Sequence, residues 1–172
     1  NAALNGFAER IRVHATDLRE LTAEQLGGEV DLVLSNPPYM RTDCGKRNLS
    51  DAKYLARHEV CGGIADFCAA AARILRFGGR FLCVWRPDRL SELMAALRDA
   101  GLEPKRMQLV HADPGAEPCM VLLDCTKGAS PSLRVSPPLF LYERTDAPEG
   151  KRTLTPEAQA VYASCSLGAE NA

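Results

Sequence analysis

Four consecutive residues, Asn36-Pro37-Pro38-Tyr39, bring together groups suited to the chemistry of an amino group. Asn36 offers a neutral side-chain carbonyl acceptor. Pro37 has no backbone N–H but keeps its carbonyl, and its ring fixes φ. Each proline biases the residue before it toward extended backbone. The segment is therefore stiff and carries two acceptors, Asn36 Oδ1 and the Pro37 carbonyl oxygen, beside the flat ring of Tyr39. An exocyclic or amide NH2 is a poor nucleophile because its lone pair is delocalised. Two acceptors holding its two N–H bonds favour the tetrahedral form, whose lone pair faces a methyl donor. That is catalysis by positioning and electrostatics, without a strong base. A planar base stacked on Tyr39 would gain roughly 1–3 kcal/mol. The same residues also read as a rigid turn, since Pro-Pro dipeptides mark turns. The residues before them favour chemistry: Val30 to Leu34 is an apolar run apart from Asp31, which predicts a parallel strand buried on both faces. Ligands of open α/β sheets bind beyond the carboxyl ends of such strands.

The elements that must position this motif follow from periodicity and punctuation. Asn1 to Ala8 reads as the last turn of a helix, and Ile11 to Ala15 as a short strand with Asp17 just past its end. Leu18 to Leu26 reads as a short helix stopped by Gly27-Gly28. Met40 to Lys53 is polar and aperiodic, a loop. Glu59 to Phe77 carries Ile64, Cys68, Ala71 and Leu75 at helical spacing, and Gly78-Gly79 ends it. Arg80 to Trp85 is a second buried strand, and Pro87-Asp88 opens a helix closed by Gly101. Lys105 to Val110 and Cys119 to Thr126 form an antiparallel hairpin around Asp113-Pro114-Gly115. Pro137 to Tyr142 reads as a further strand or ordered tail, and Thr155 to Tyr162 as a short helix. Alternating strands and helices define an α/β fold with a mostly parallel sheet and an antiparallel C-terminal hairpin. Residues 1–145 read as the C-terminal two-thirds of a domain, and 146–172 as a tail carrying the short helix.

With 172 residues, 46% of them hydrophobic and 25% charged, the chain has the composition of one globular domain. A net charge of −1 excludes a wholly basic nucleic-acid-binding surface, so any RNA contact must be local. The loop after the motif supplies such a patch: Arg41, Lys46, Arg47, Lys53 and Arg57 outnumber Asp43 and Asp51. It reads either as a grip on RNA phosphates or as a solvated loop. No apolar run approaches the roughly 20 residues of a membrane span, and no signal peptide is visible. Seven cysteines without a Cys-x-x-Cys pair, and histidines without ligand spacing, argue against a metal site and a disulfide framework. Cys68, Cys83, Cys119 and Cys125 lie in apolar runs and read as small hydrophobes, consistent with a reduced, cytoplasmic protein. His14 and His111 read as strand-end or surface residues, and Trp85 as core.

Asp31-Leu32-Val33-Leu34-Ser35-Asn36-Pro37-Pro38-Tyr39 resembles the motif of amino-group methyltransferases that use S-adenosylmethionine. Ala56-Arg57-His58-Glu59, Phe77-Gly78-Gly79-Arg80-Phe81, Arg86-Pro87-Asp88-Arg89-Leu90, Pro104-Lys105-Arg106, Pro137-Pro138-Leu139 and Thr155-Pro156-Glu157 narrow the resemblance. Together they are similar to the tRNA(Val) adenosine-37 N6-methyltransferases. The resemblance covers nearly the whole chain and implies a Rossmann-like class I methyltransferase fold, with S-adenosylmethionine as cofactor and tRNA as partner. It makes Asn36, Pro37, Pro38 and Tyr39 the catalytic residues. Asn36 and Pro37 would hold the target amine and Tyr39 would stack on the base. Asp17 would accept from the cofactor adenine and Leu18 would flank it, whereas chemistry alone reads Asp17 equally as a helix N-cap. Arg41, Lys46, Arg47 and Arg57 would meet the RNA. Enzymes methylating glutamine amides of release factors or guanine N2 of ribosomal RNA share the motif, and a non-catalytic fragment or adaptor is the alternative of another class.

The sequence also departs from that family. The glycine-rich acidic-x-Gly-x-Gly turn and the acidic residue for the cofactor ribose have no counterpart among these 172 residues. The expectation is a methyltransferase domain missing its first strands, an incomplete sequence of a larger protein. Weak or absent cofactor binding by this chain follows from it.

Overall fold

The protein is described as a computed structural model covering residues 3–38, 63–143 and 152–164. A short helix α1 (Ala23–Leu26) leads to strand β1 (Val30–Ser35), and helix α2 (Ile64–Ile74) runs directly into β2 (Leu75–Trp85). A 3-10 turn at Pro87–Arg89 starts helix α3 (Leu90–Asp99), followed by β3 (Leu102–His111) and β4 (Pro118–Lys127). Two short strands, β5 (Arg134–Val135) and β6 (Leu139–Phe140), and helix α4 (Pro156–Ser164) complete the described elements.

The sheet runs in the order β1-β2-β4-β3-β5, with β6 also on β3. β1 is parallel to β2, β4 is antiparallel to both β2 and β3, and β5 and β6 are parallel to β3. Among the described strands only β4 therefore runs against the common direction; the sheet is mixed, with the α/β class and the reversed hairpin strand that the sequence implied, and its longest ladders, β2–β4 and β3–β4, are antiparallel. The hairpin does not simply extend the sheet at its edge: β4 is inserted between β2 and β3. The carboxyl ends of β1, β2 and β3 and the start of β4 consequently share one rim.

The core lies on one face. Phe81, Cys83 and Trp85 alternate inward along β2 and lie opposite Cys125, Leu123 and Val121 of β4. Ile64, Cys68 and Ala71 of α2 and Leu93, Ala96 and Leu97 of α3 cover them. Cys68 and Cys83 are buried thiols pushed up to about 12 by desolvation, and Cys125 is raised further still, so all three act as apolar side chains. Cys119 differs from the expectation: it is exposed at the start of β4.

Three further expectations are corrected. Ile11 to Ala15 is not a strand: Ile11 is 49% and Val13 88% exposed, and no described strand lies beside them to accept a ladder. Asn1 to Ala8 holds 3-10 turns at Ala3–Asn5 and Ala8–Arg10 in its described part, not the end of an α-helix. β1 is not buried on both faces: Leu32 and Leu34 are 48% and 70% exposed, and among the described strands it stands at the end of the sheet. The expected loop from Met40 to Lys53 lies outside the described residues.

Gly78-Gly79 does not end a helix but sits inside β2, because α2 has already stopped at Ile74. Between the pairs Val30↔Leu75 and Leu32↔Arg80, β1 advances two residues and β2 five, so Arg76 to Gly79 bulges out. Gly78 takes φ 75°, and Arg76 Nε donates to Asp31 Oδ1 at 2.5 Å. At Gly79 a Cβ would stand 2.9 Å from the Arg76 carbonyl oxygen and 3.3 Å from that of Asp31. Both neighbours are backbone and cannot step aside. Gly79→Ala is therefore expected to destabilise the fold by about 1–3 kcal/mol, read as a lower denaturation midpoint at unchanged denaturant slope.

Candidate active site

The motif begins where β1 ends. Ser35 is the last strand residue and pairs with Cys83, which carries Asn36 out past the sheet beside the end of β2. Pro37 is fully buried and Pro38 partly so, while the Asn36 side is exposed. The buried, N–H-free proline anchors the backbone immediately after Asn36 and limits the directions its amide can take.

Asn36 stands at the junction of two clefts. One, of about 600 Å³, runs from Asn36 across Trp85, Arg86 and Asp88 at the end of β2 to Glu117, Cys119 and Met120 at the start of β4. The other, of about 360 Å³, is an apolar groove on the face away from the helices, formed by Leu34, Leu82, Val84 and Leu122 with Asn36 at its end. The first has the size of a small-molecule or nucleotide site.

Its floor is rigid. Trp85 is 1% exposed, its indole Nε1 donates to the Arg89 carbonyl oxygen at 2.9 Å, and the Arg89 guanidinium lies 5.1 Å from its ring centroid. Arg89 is in turn held by Glu92, Nη2 to Oε2 at 2.6 Å. The expectation of Trp85 as core holds, with the addition that the ring underlies the cleft. On the rim Arg86 grips Asp88 through two bonds of 2.9 and 2.7 Å. The hydrogen bond from Arg86 is the main reason that the Asp88 carboxyl is held below the usual carboxylate range. This paired rim places a guanidinium and a carboxylate in the cleft that Asn36 lines, with Glu117 on its other side.

Arg86, Asp88, Glu117, Cys119 and Met120 join the site only in the folded chain and are not among the residues expected there from sequence. For the last three the signal was the reversed β4, which carries its first residues to the rim where the other strands finish. His111 ends β3, with Nδ1 2.8 Å from the Ala116 carbonyl oxygen and its ring 5.3 Å from that of Phe140.

Asp17 and Leu18 do not line either cleft among the described residues. Asp17 lies in an irregular stretch, where Arg19 holds it through Nε at 2.9 Å, Nη2 at 2.5 Å and its own backbone N–H at 2.9 Å. Arg73, on the last turn of α2, donates to the carbonyl oxygens of Leu18 and Leu21 at 3.3 and 2.6 Å. The Arg19 hydrogen bonds lower the Asp17 pKa to about 2. Because the folded pKa is depressed, the pair favours the folded arrangement above the ordinary Asp value near 3.9 and is lost as pH falls toward 2. The Asp17 carboxyl carbon is expected to titrate near 2 by NMR in the parent and near 4 in Arg19→Ala. Identical curves would mean that the pair does not form. Tyr39, Arg41, Lys46, Arg47 and Arg57 lie outside the described residues. Among the described residues no group of three His, Cys, Asp or Glu could hold a metal ion, and no helix is long and apolar enough to cross a membrane.

A sheet with one reversed strand inserted before its last parallel neighbour, and an Asn-Pro-Pro segment at a strand tip, define a Rossmann-like methyltransferase fold. A predicted O-methyltransferase of Agrobacterium tumefaciens shares it, with a TM-score of 0.69 at 21% identity over 98% of this chain and 70% of that one. The chain is also 36% identical over 124 residues, 72% of its length, to the tRNA1(Val) (adenine(37)-N6)-methyltransferase of Phocaeicola vulgatus. It is thus a homologue of that enzyme, and the family resemblance read from the sequence is borne out. It spans 50% of that relative's length. No protein-family model matches the chain.

Proposed function

We propose that this chain carries the target-amine side of an S-adenosylmethionine-dependent methyltransferase acting on N6 of adenine in RNA, with position 37 of tRNA(Val) as its substrate. The observation that carries this reading is Asn36, fixed by buried Pro37 at the tip of β1 and open to a cleft of about 600 Å³. Asn36 Oδ1 accepts one N–H of the adenine amine and the Pro37 carbonyl oxygen the other. The base lies in the cleft over the Trp85–Arg86 rim, and Tyr39 stacks on it. Arg41, Lys46, Arg47 and Arg57 meet the phosphates on either side.

S-adenosylmethionine supplies the methyl group when bound. The described residues do not complete a site for it. The Asp17 carboxylate is occupied by Arg19, neither Asp17 nor Leu18 lines the clefts at Asn36, and the sequence contains no acidic-x-Gly-x-Gly turn. In the reading proposed here Asp17 and Leu18 meet the cofactor adenine only after Asp17 leaves Arg19. Calorimetric titration of the 172-residue chain with S-adenosylmethionine is expected to give weak or no heat of binding, and tight binding would overturn this point.

The substrate is tested by incubating the whole protein with radiolabelled S-adenosylmethionine and, separately, tRNA(Val), ribosomal RNA and a release factor. N6-methyladenosine at position 37, located by mass spectrometry of nuclease fragments, is the expected product. Label on a glutamine amide or on guanine N2 would move the assignment to those enzymes, and no transfer to any of the three would favour a non-catalytic role.

A further inference from the structure

A second cleft opens on the same rim of the sheet, on the far side of β3 from Asn36. β6 pairs with the end of β3, and the backbone N–H of Tyr142 donates to the Ala112 carbonyl oxygen at 2.9 Å, so Tyr142 sits just past the carboxyl end of β3. The chain returns through a bridge of Leu154 to Tyr142, and the Thr155 N–H donates to the Leu141 carbonyl oxygen at 3.0 Å. Helix α4 then brings Tyr162 over the gap. Tyr142, Arg152, Leu154 and Tyr162 enclose about 340 Å³.

The side chains are those of a base-and-phosphate site. Tyr162 is 67% exposed, so a large face of its ring is open to solvent among the described residues. The Arg152 guanidinium lies 5.9 Å from the Tyr142 ring centroid. Its Nε is buried without a hydrogen-bond partner among the described residues. Among the described residues the carboxylate paired with it is that of Asp113, 3.8 Å from Nη1, close enough to attract but too far for a hydrogen bond. A buried N–H left unpaired is costly, and an incoming phosphate oxygen relieves it. Leu154 gives the gap an apolar wall.

We propose that this cleft is a second nucleic-acid subsite, which stacks one base of the substrate strand between Tyr142 and Tyr162 and takes its phosphate on Arg152. The inference rests on the RNA reading above and extends it along the strand. From β1 to β6 the rim crosses four strand spacings, about 19 Å. That distance corresponds to roughly six stacked nucleotides, fewer in a drawn-out strand. The target adenine at Asn36 and a flanking base at Tyr162 can therefore belong to one single-stranded loop.

The test uses the 172-residue chain and a fluorescein-labelled, 12-nucleotide single-stranded RNA of mixed sequence with one adenine near an end, followed by anisotropy at several salt concentrations. Tyr162→Ala is expected to weaken binding at least fivefold, whereas Tyr162→Phe, which keeps the stacking face, stays within twofold. Arg152→Gln is expected to reduce the slope of log affinity against log salt by about one. Because Tyr162 is exposed, its variants are expected to melt with the parent, which separates loss of a stacking face from loss of fold. If the parent binds the RNA and both Tyr162→Ala and Arg152→Gln bind equally well at every salt concentration, the second subsite is wrong and the RNA reading survives. If Tyr162→Phe loses as much as Tyr162→Ala, stacking is wrong. If the parent does not bind the RNA, the RNA reading and this inference fall together.

Discussion

Asn36→Ala is expected to lower the turnover of RNA methylation by roughly 10²–10³-fold, with little change in KM for the RNA, by analogy with the loss of one preorganised polar group at a reacting centre. In the function proposed above, phosphates and stacking supply the bulk of RNA affinity, and the amide acts on the NH2 group, where charge and geometry change on the way to the transition state. The substitution leaves the fold intact, since Asn36 is exposed and the anchoring residue is the buried Pro37. Asn36→Asp keeps an acceptor of the same shape and is expected to recover part of the loss. A single-turnover assay on the whole protein separates the two parameters. An Asn36→Ala protein that turns over within a factor of a few of the parent would remove the chemical role of the motif and leave only its turn.

Trp85→Ala is expected to cost about 3–5 kcal/mol. Trp85 is 1% exposed, packs among Phe81, Leu93 and Val121, donates to the Arg89 carbonyl and carries the Arg89 guanidinium on its face. Removing it opens a cavity under the cleft and takes away the ring on which the Arg89 guanidinium, 14% exposed and paired with Glu92, lies. For a domain of this size each kcal/mol lowers the melting temperature by about 2–4 °C, so the drop is of order 6–20 °C. Circular dichroism at 222 nm reads it. Trp85 is also the single tryptophan of the chain, so the emission of the parent reports this one site and should be blue-shifted and protected from acrylamide. A melting temperature within about 2 °C of the parent would place Trp85 outside the core.

The sequence was most legible where local rules and tertiary contacts agree. Pro87-Asp88 and Gly101 bracket α3 because proline is tolerated at a helix start and glycine at its left-handed exit, where Gly101 takes φ 69°. The β3–β4 hairpin was readable because its two apolar runs are close in sequence and joined by an Asp-Pro-Gly turn. Ile11 to Ala15 misled because alternation in two residues states a preference that only a neighbouring strand can satisfy. The burial of β1 was misread for the same reason: an apolar run says what a strand would bury, not what covers it. Gly78-Gly79 carried a real signal, but for a bulge. The distinction rests on the close approach of Gly79 to the Asp31 carbonyl, which belongs to another strand.

At the candidate site, the position of Asn36 and Pro37 just past β1 was legible in the sequence because a strand tip is a local feature. Arg86, Asp88 and the start of β4 could not, since their meeting depends on strand order. The Arg152–Tyr142–Tyr162 cleft is further from legibility: its members span twenty residues and are brought together by the Tyr142–Leu154 bridge and the hydrogen bonds beside it.

The position of β1 at the end of the described sheet has a practical consequence for work in solution. Protein edges are normally protected by lysine, proline or an unsatisfied charge. In Val30–Ser35 the only charge is Asp31, and Arg76 neutralises it. With Leu32 and Leu34 facing water, the strand offers the 172-residue chain a main-chain edge onto which another copy can pair, and concentrated samples of that chain are expected to drift toward aggregates, faster in sulfate, which strengthens apolar attraction.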